Sequence, residues 1–140
     1  MMSHEKLDVY QASIEFFAVV LKIRDEVPRG HGDLLDQFLR ASMSIPLNIA
    51  EAVGKNSKPD MKRFLAIARG SSMECAAIVD VGLKLQIIQI KDAQQAKLLL
   101  HRIASMLSKM IVSTTITTTQ TRTTTLTPTI NRPPPRPGLT

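Results

Sequence analysis

Five polar residues, Gln37, Arg40, Ser44, Asn48 and Glu51, step by 3, 4, 4 and 3 along the segment that ends in RASMSIPLNIAEAVG. On a helix that spacing puts them on one flank. A guanidinium, a hydroxyl, an amide and a carboxylate in one line can bond one another, a second chain or a ligand. Ser71 and Glu74 stand one turn apart in the next helical segment and are expected beside them. Buried polar groups persist only when paired. A network of Arg40 and Asn48 with Glu51 or Glu74 is therefore expected if the flank is buried. A packing or assembly network, a ligand site and a plain solvated face all fit the spacing.

A second cluster follows. Lys55, Lys58, Lys62, Arg63 and Arg69 have only Asp60 among them. Five bases in a turn and the start of a helix can contact phosphates, or simply be solvated. No aromatic is interleaved as a stacking platform, because Phe64 falls on an apolar stripe. Metal chemistry has little to work with: none of His4, His31 and His101 stands three residues after a glutamate, the spacing of bundle metal sites. Cys75 lies on an apolar stripe and reads as an inert core thiol. Gly54-Lys55 lacks the rest of a phosphate-cradling loop. No catalytic residue, cofactor or metal is expected, and the chain does not read as an enzyme.

Four helices must position these groups. Leu7, Tyr10, Ile14, Phe17 and Leu21 give the expected buried face of a first helix, closed by Val27-Pro28-Arg29-Gly30. Leu35, Phe38, Ser42, Ile45, Ile49 and Ala52 give that of a second, from about Gly32 or Asp33 to Val53. Pro46 lies inside it and removes one backbone donor; a kink near Ser42–Pro46 rather than a break is expected, because the apolar stripe continues in phase to Ala52. Gly54 suits the end of that helix and Ser57 the N-cap of the next, with Pro59 in its first turn. The third helix, to about Ile88, carries Met61, Phe64, Ala68, Ser71, Cys75, Ile78, Gly82 and Leu85 on one face. Its Gly70-Ser71-Ser72 patch predicts a closely packed neighbouring helix. Asp92 is the expected cap of a fourth helix ending near Val112, with Ala96, Leu99 or Leu100, Ile103, Met106 or Leu107 and Met110 inward. Short connections make neighbours antiparallel. The fold class is all-α: an antiparallel up-down four-helix bundle over residues 1–112, followed by a disordered or extended Thr/Pro-rich tail over 113–140.

Composition agrees. The chain has 140 residues, four Phe, one Tyr and no Trp, and all twelve of its Thr lie after residue 113. Of the net charge of +6, three units come from tail arginines; residues 1–112 hold 15 bases and 12 acids. The bundle is thus mildly basic, which permits a nucleic-acid partner without requiring one. One cysteine allows no internal disulfide, and cytoplasmic residence is expected. The N-terminal MMSHEKLDVY has acids and no apolar run, and no stretch reaches the ~18 apolar residues of a membrane span.

Leu7–Tyr10 (LDVY), Gln37–Arg40, Ala41, Ser44-Ile45-Pro46, Asn48-Ile49-Ala50-Glu51, Gly54, Phe64 and Gly70-Ser71 with Glu74 together resemble the 23S rRNA-intervening-sequence family of four-helix-bundle proteins. The likeness covers roughly residues 5–112. It departs at Ala52, where that family usually has glycine, and does not extend to the tail. The resemblance implies a small bacterial protein that forms a homo-oligomer, a ring of five in some members. Several members are encoded within ribosomal RNA genes, and related bundles bind nucleic acid through a basic surface. A homo-oligomeric, RNA-associated bundle is the expected function, and a structural scaffold or protein-interaction module the alternative.

Overall fold

The computed structural model describes residues 3–130, and of these the side chains of residues 4, 5 and 7–115. Among them lie a single 3-10 turn, Ser3–Lys6, and four helices: α1 (Asp8–Glu26), α2 (Gly32–Val53), α3 (Lys58–Lys84) and α4 (Ile90–Ile130). Each helix packs on two neighbours in the cyclic order α1, α2, α3, α4, with no diagonal contact among the described residues. This is the antiparallel up-down bundle.

The turns follow from local chemistry. Gly30, at φ +101°, occupies the left-handed region between α1 and α2 that glycine alone enters freely. Ser57 caps α3 as expected, its hydroxyl accepting the Asp60 N–H at 3.3 Å. Gly54 closes α2 at φ −82°, in the right-handed region, so the left-handed freedom expected of it is unused. At the end of α3, Gln86 N–H donates to the Leu83 carbonyl and Ile87 N–H to that of Gly82, each at 3.0 Å. Gln86 takes φ +60°, completing a Schellman-type stop without glycine. That stop folds Ile88 back so tightly that a Cβ on Gly82 would overlap its side chain.

The core draws on all four helices. Phe16, Val20 and Ile23 meet Phe38, Ile45 and Ile49, then Leu65, Cys75 and Val79, then Ala96, Ile103 and Leu107. The Phe16 and Phe38 rings meet edge to face at 6.3 Å and lock α1 to α2. The inward faces of α2 and α4 match expectation in the main. The face expected for α1 does not. Its core side is Val9, Ala12, Ser13, Phe16, Val19, Val20 and Ile23. Ile14 is 46% exposed, and Leu7, Tyr10, Phe17 and Leu21 are half-buried. α1 carries two apolar stripes of helical spacing, and spacing alone does not rank them.

Other differences have local causes. Asp92 does not cap α4, which starts two residues earlier. It sits in the first turn, 3% exposed, and its carboxylate accepts from Lys22 Nζ at 2.7 Å. The bond ties α4 to α1 and is favoured by the helix dipole. It raises the Lys22 pKa; partial burial opposes the rise, and the charges of Asp92 and Glu26 add to it. α2 passes through Pro46 without a break, as its in-phase stripe implied, the Ser42 hydroxyl donating to the Leu39 carbonyl at 3.0 Å. In the small-residue patch of α3, Ser72 is buried and Ser71 reaches α2, as expected, whereas a Cβ on Gly70 would have nothing within 4 Å. Leu85 is 49% exposed rather than inward.

The backbone of α4 runs to Ile130, past the end expected near Val112. Thr114 is buried and donates to the Met110 carbonyl at 2.9 Å, and Thr115 to that of Ile111 at 3.1 Å. Threonine hydroxyls bonded four residues back are compatible with helix. The Pro-rich end of the expected tail, from residue 131, lies outside the described residues. No helix among the described residues is long and apolar enough to cross a membrane.

Candidate functional site

The polar flank of α2 meets α3 along an open groove of about 380 Å³, lined by Gln37, Arg40, Ala41, Ser44, Ser71 and Glu74. Five of the seven polar residues expected to act together, Gln37, Arg40, Ser44, Ser71 and Glu74, therefore share one surface. Asn48 and Glu51 lie further along α2. Ser71 Oγ donates to Ser44 Oγ at 2.8 Å across the seam. Asn48 Nδ2 donates to the same oxygen at 3.0 Å and to the Ser44 carbonyl at 2.8 Å. Ser44 Oγ thus gathers one bond from its own helix and one from α3.

The charged pairs differ from expectation. Gln37, not Arg40, holds Glu74, its Nε2 donating at 3.1 Å. Glu51 takes Lys55 at 3.3 Å rather than joining Asn48. Arg40 makes no ion pair or hydrogen bond among the described residues and is exposed. The network is neutral at its centre, and its charges stand at the rim.

The basic turn is a second surface at one end of the same seam. Lys58, Lys62 and Arg69 are exposed on one face of α3, at i, i+4 and i+11, without an acid partner among the described residues. Arg63 lies 3.8 Å from Asp60, with its guanidinium carbon 4.4 Å from the centroid of the Phe64 ring. Lys55 Nζ stands 4.9 Å from the same centroid. Such cation–π contacts contribute about 0.5–1 kcal/mol at exposed sites. Phe64 is half-buried at the edge of the core, so it anchors two of the five bases rather than serving the core alone.

Groove and basic turn are built from the motif residues of α2 and α3, on a four-helix scaffold. The family model for 23S rRNA-intervening sequence proteins matches residues 5–109. The chain belongs to that family. The family match takes in the end of the 3-10 turn, all three connections between helices, the groove and all five bases; it stops before the Thr-rich stretch of α4. Among curated proteins none matches the chain.

Two further features complete the surface and the core of this family member. Cys75 is fully buried on α3; desolvation, with a lesser push from the Glu74 charge, raises its thiol pKa to about 12. It is a neutral thiol at physiological pH, as its place on the stripe implied. Among the described residues no cluster of three His, Cys, Asp or Glu is placed to hold a metal ion. Between α3 and α4 lies an apolar hollow of about 520 Å³ whose lining includes Leu83, Ile90, Ala93 and Leu98. The sequence carried one signal for it. Leu98-Leu99-Leu100 cannot all face inward at 100° per residue, and Leu98 is the one left 74% exposed.

Proposed function

We propose that this protein is a non-enzymatic, homo-oligomeric bundle of the cytoplasm that associates with ribosomal RNA or another nucleoprotein through its basic turn. The observation that carries this is the row Lys58, Lys62 and Arg69: three exposed cations on one face of α3, none committed to an acid among the described residues. Membership of a family named for ribosomal RNA supports it. Phosphate contacts of this kind are electrostatic and release counterions. For about five contacts, affinity for an RNA hairpin falls on the order of 10²-fold between about 50 and 200 mM salt. Reversing Lys58, Lys62 and Arg63 to Glu removes the binding. A wild-type protein that fails to bind RNA at low salt overturns the reading.

Assembly is supported by apolar side chains left in water. Ile14 on α1 and Ile90 and Leu98 on α4 are 46%, 68% and 74% exposed. Ile90 and Leu98 line one hollow with Leu83 and Ala93, and apolar surface gathered in this way marks contact sites. Light scattering at micromolar concentration is expected to give a multiple of the 15.5 kDa chain mass, five-fold for a ring like those of the family. A monomer removes the assembly. The second reading, a scaffold or protein-interaction module without RNA, is favoured by the apolar hollow at Leu98. An intact oligomer that ignores RNA at every salt concentration selects it.

A further inference from the structure

We infer that the basic turn takes an unpaired RNA nucleotide, with Arg63 backed by Phe64 as the stacking platform and Lys58 and Lys62 on the flanking phosphates. The inference rests on the RNA reading above and narrows it to single-stranded or looped substrate.

The argument begins with what holds Arg63. Its guanidinium carbon is 4.4 Å from the Phe64 centroid, and Asp60 stands 3.8 Å from Nη2. The ring is wedged at the edge of the core and does not travel with the arginine. Yet 59% of the Arg63 side chain remains exposed. A planar cation fixed on one side and open on the other presents a surface on which a base stacks. Lys55 shares the ring at 4.9 Å but is differently placed: Glu51 holds it at 3.3 Å and two thirds of its side chain is covered. Phe64 and the two acids thereby separate the five bases into two held cations and three free ones. Lys58 and Lys62 lie one turn apart on the exposed face of α3, with Lys62 next to Arg63 in sequence. Consecutive residues leave the helix about 100° apart, so the lysine row flanks the Arg63 plane rather than sharing its face, within reach of the phosphates either side of a stacked base. A-form duplex offers phosphates but keeps its bases paired and stacked, so it can use the lysines and not the platform.

The test uses the full chain and two RNAs of equal length: a mixed-sequence single strand with 2-aminopurine at its centre, and the same strand annealed to its complement. The chain has no Trp and one Tyr, so the probe's fluorescence is read without interference. The single strand is expected to bind about tenfold more tightly than the duplex, and its 2-aminopurine to be quenched. Arg63→Lys keeps the charge and loses the plane. It should cut single-strand affinity about tenfold, abolish the quench, and leave duplex affinity and the salt slope unchanged. Phe64→Leu, which keeps an apolar group at the core edge, should weaken the single strand alone, with circular dichroism reporting that the bundle is intact. Equal affinity for both RNAs, with no quench and no effect of Arg63→Lys, overturns the platform and leaves the RNA reading standing. Failure of both RNAs to bind the wild-type chain at low salt overturns the two together.

Discussion

Replacing Phe16 by alanine is expected to cost the bundle about 3–5 kcal/mol, the range for truncating a buried phenylalanine. Phe16 is 0% exposed and its ring meets that of Phe38 edge to face. The substitution removes both the transfer energy of the ring and an aromatic contact, and it leaves a void at the junction of α1 and α2. Against a total of roughly 5–15 kcal/mol for a domain of this kind, that is a large fraction. Phe17→Ala is the matched control. The neighbouring ring is only half-buried, so its loss should cost about 1 kcal/mol or less. Urea denaturation followed by circular dichroism reads both variants. A larger loss for Phe17→Ala than for Phe16→Ala would mean that α1 docks with its other stripe inward.

The second large effect is alkaline. In the folded chain burial keeps the Cys75 thiol protonated up to about 12. In the unfolded chain a cysteine ionises near 8.5. Between those values the unfolded state releases a proton that the folded state retains, so stability falls as pH rises through the window and is fully present below it. At about 1.4 kcal/mol per pKa unit, the loss over the full span approaches about 5 kcal/mol. Lys22, also raised, loses its contribution in the same direction at higher pH. Comparison of the wild-type chain with Cys75→Ala, in urea melts from pH 8 to pH 11, isolates the thiol. The variant carries its small packing loss at every pH and should show the shallower alkaline decline. Parallel declines would rule out the buried thiol as the cause.

How much of this could be read from residues depended on whether a helix offered one pattern or two. α2 has a single large apolar stripe, Phe38, Ile45, Ile49 and Ala52, and its polar neighbours at the same spacing led directly to the groove. Cys75 and Ile103 likewise lay on the only inward face their helices allow. Partners across a seam were less legible. Spacing states which residues share a flank; it does not state which side chain reaches over. Arg40 carries the charge that should attract Glu74, yet Gln37 has the reach and position to take it. Phe64 sits at the correct step for the core, but near the start of α3 it reaches only the core's edge, and its ring also meets Lys55 and Arg63. Within the Gly70-Ser71-Ser72 patch the close neighbour is met by the serines, Ser71 bonding Ser44 across the seam and Ser72 buried, while Gly70 itself faces open space.

The pair formed by Lys22 and Asp92 bears on how α1 finds its place at all. A helix with two apolar stripes has two ways to settle on the other three, related by a turn of about 130° about its own axis at 100° per residue. Both would satisfy the hydrophobic drive in part, and a chain that collapsed the wrong way would be compact but trapped. Rotated by that amount, Lys22 swings away from α4 and leaves a carboxylate that is 3% exposed without its cation. Stranding a buried charge is far more costly than the paired state is favourable. The ion pair's contribution is therefore less to how firmly the bundle holds than to which of two bundles forms: it is a key cut for one rotation of α1, and it penalises the misdocked competitor rather than rewarding the native one.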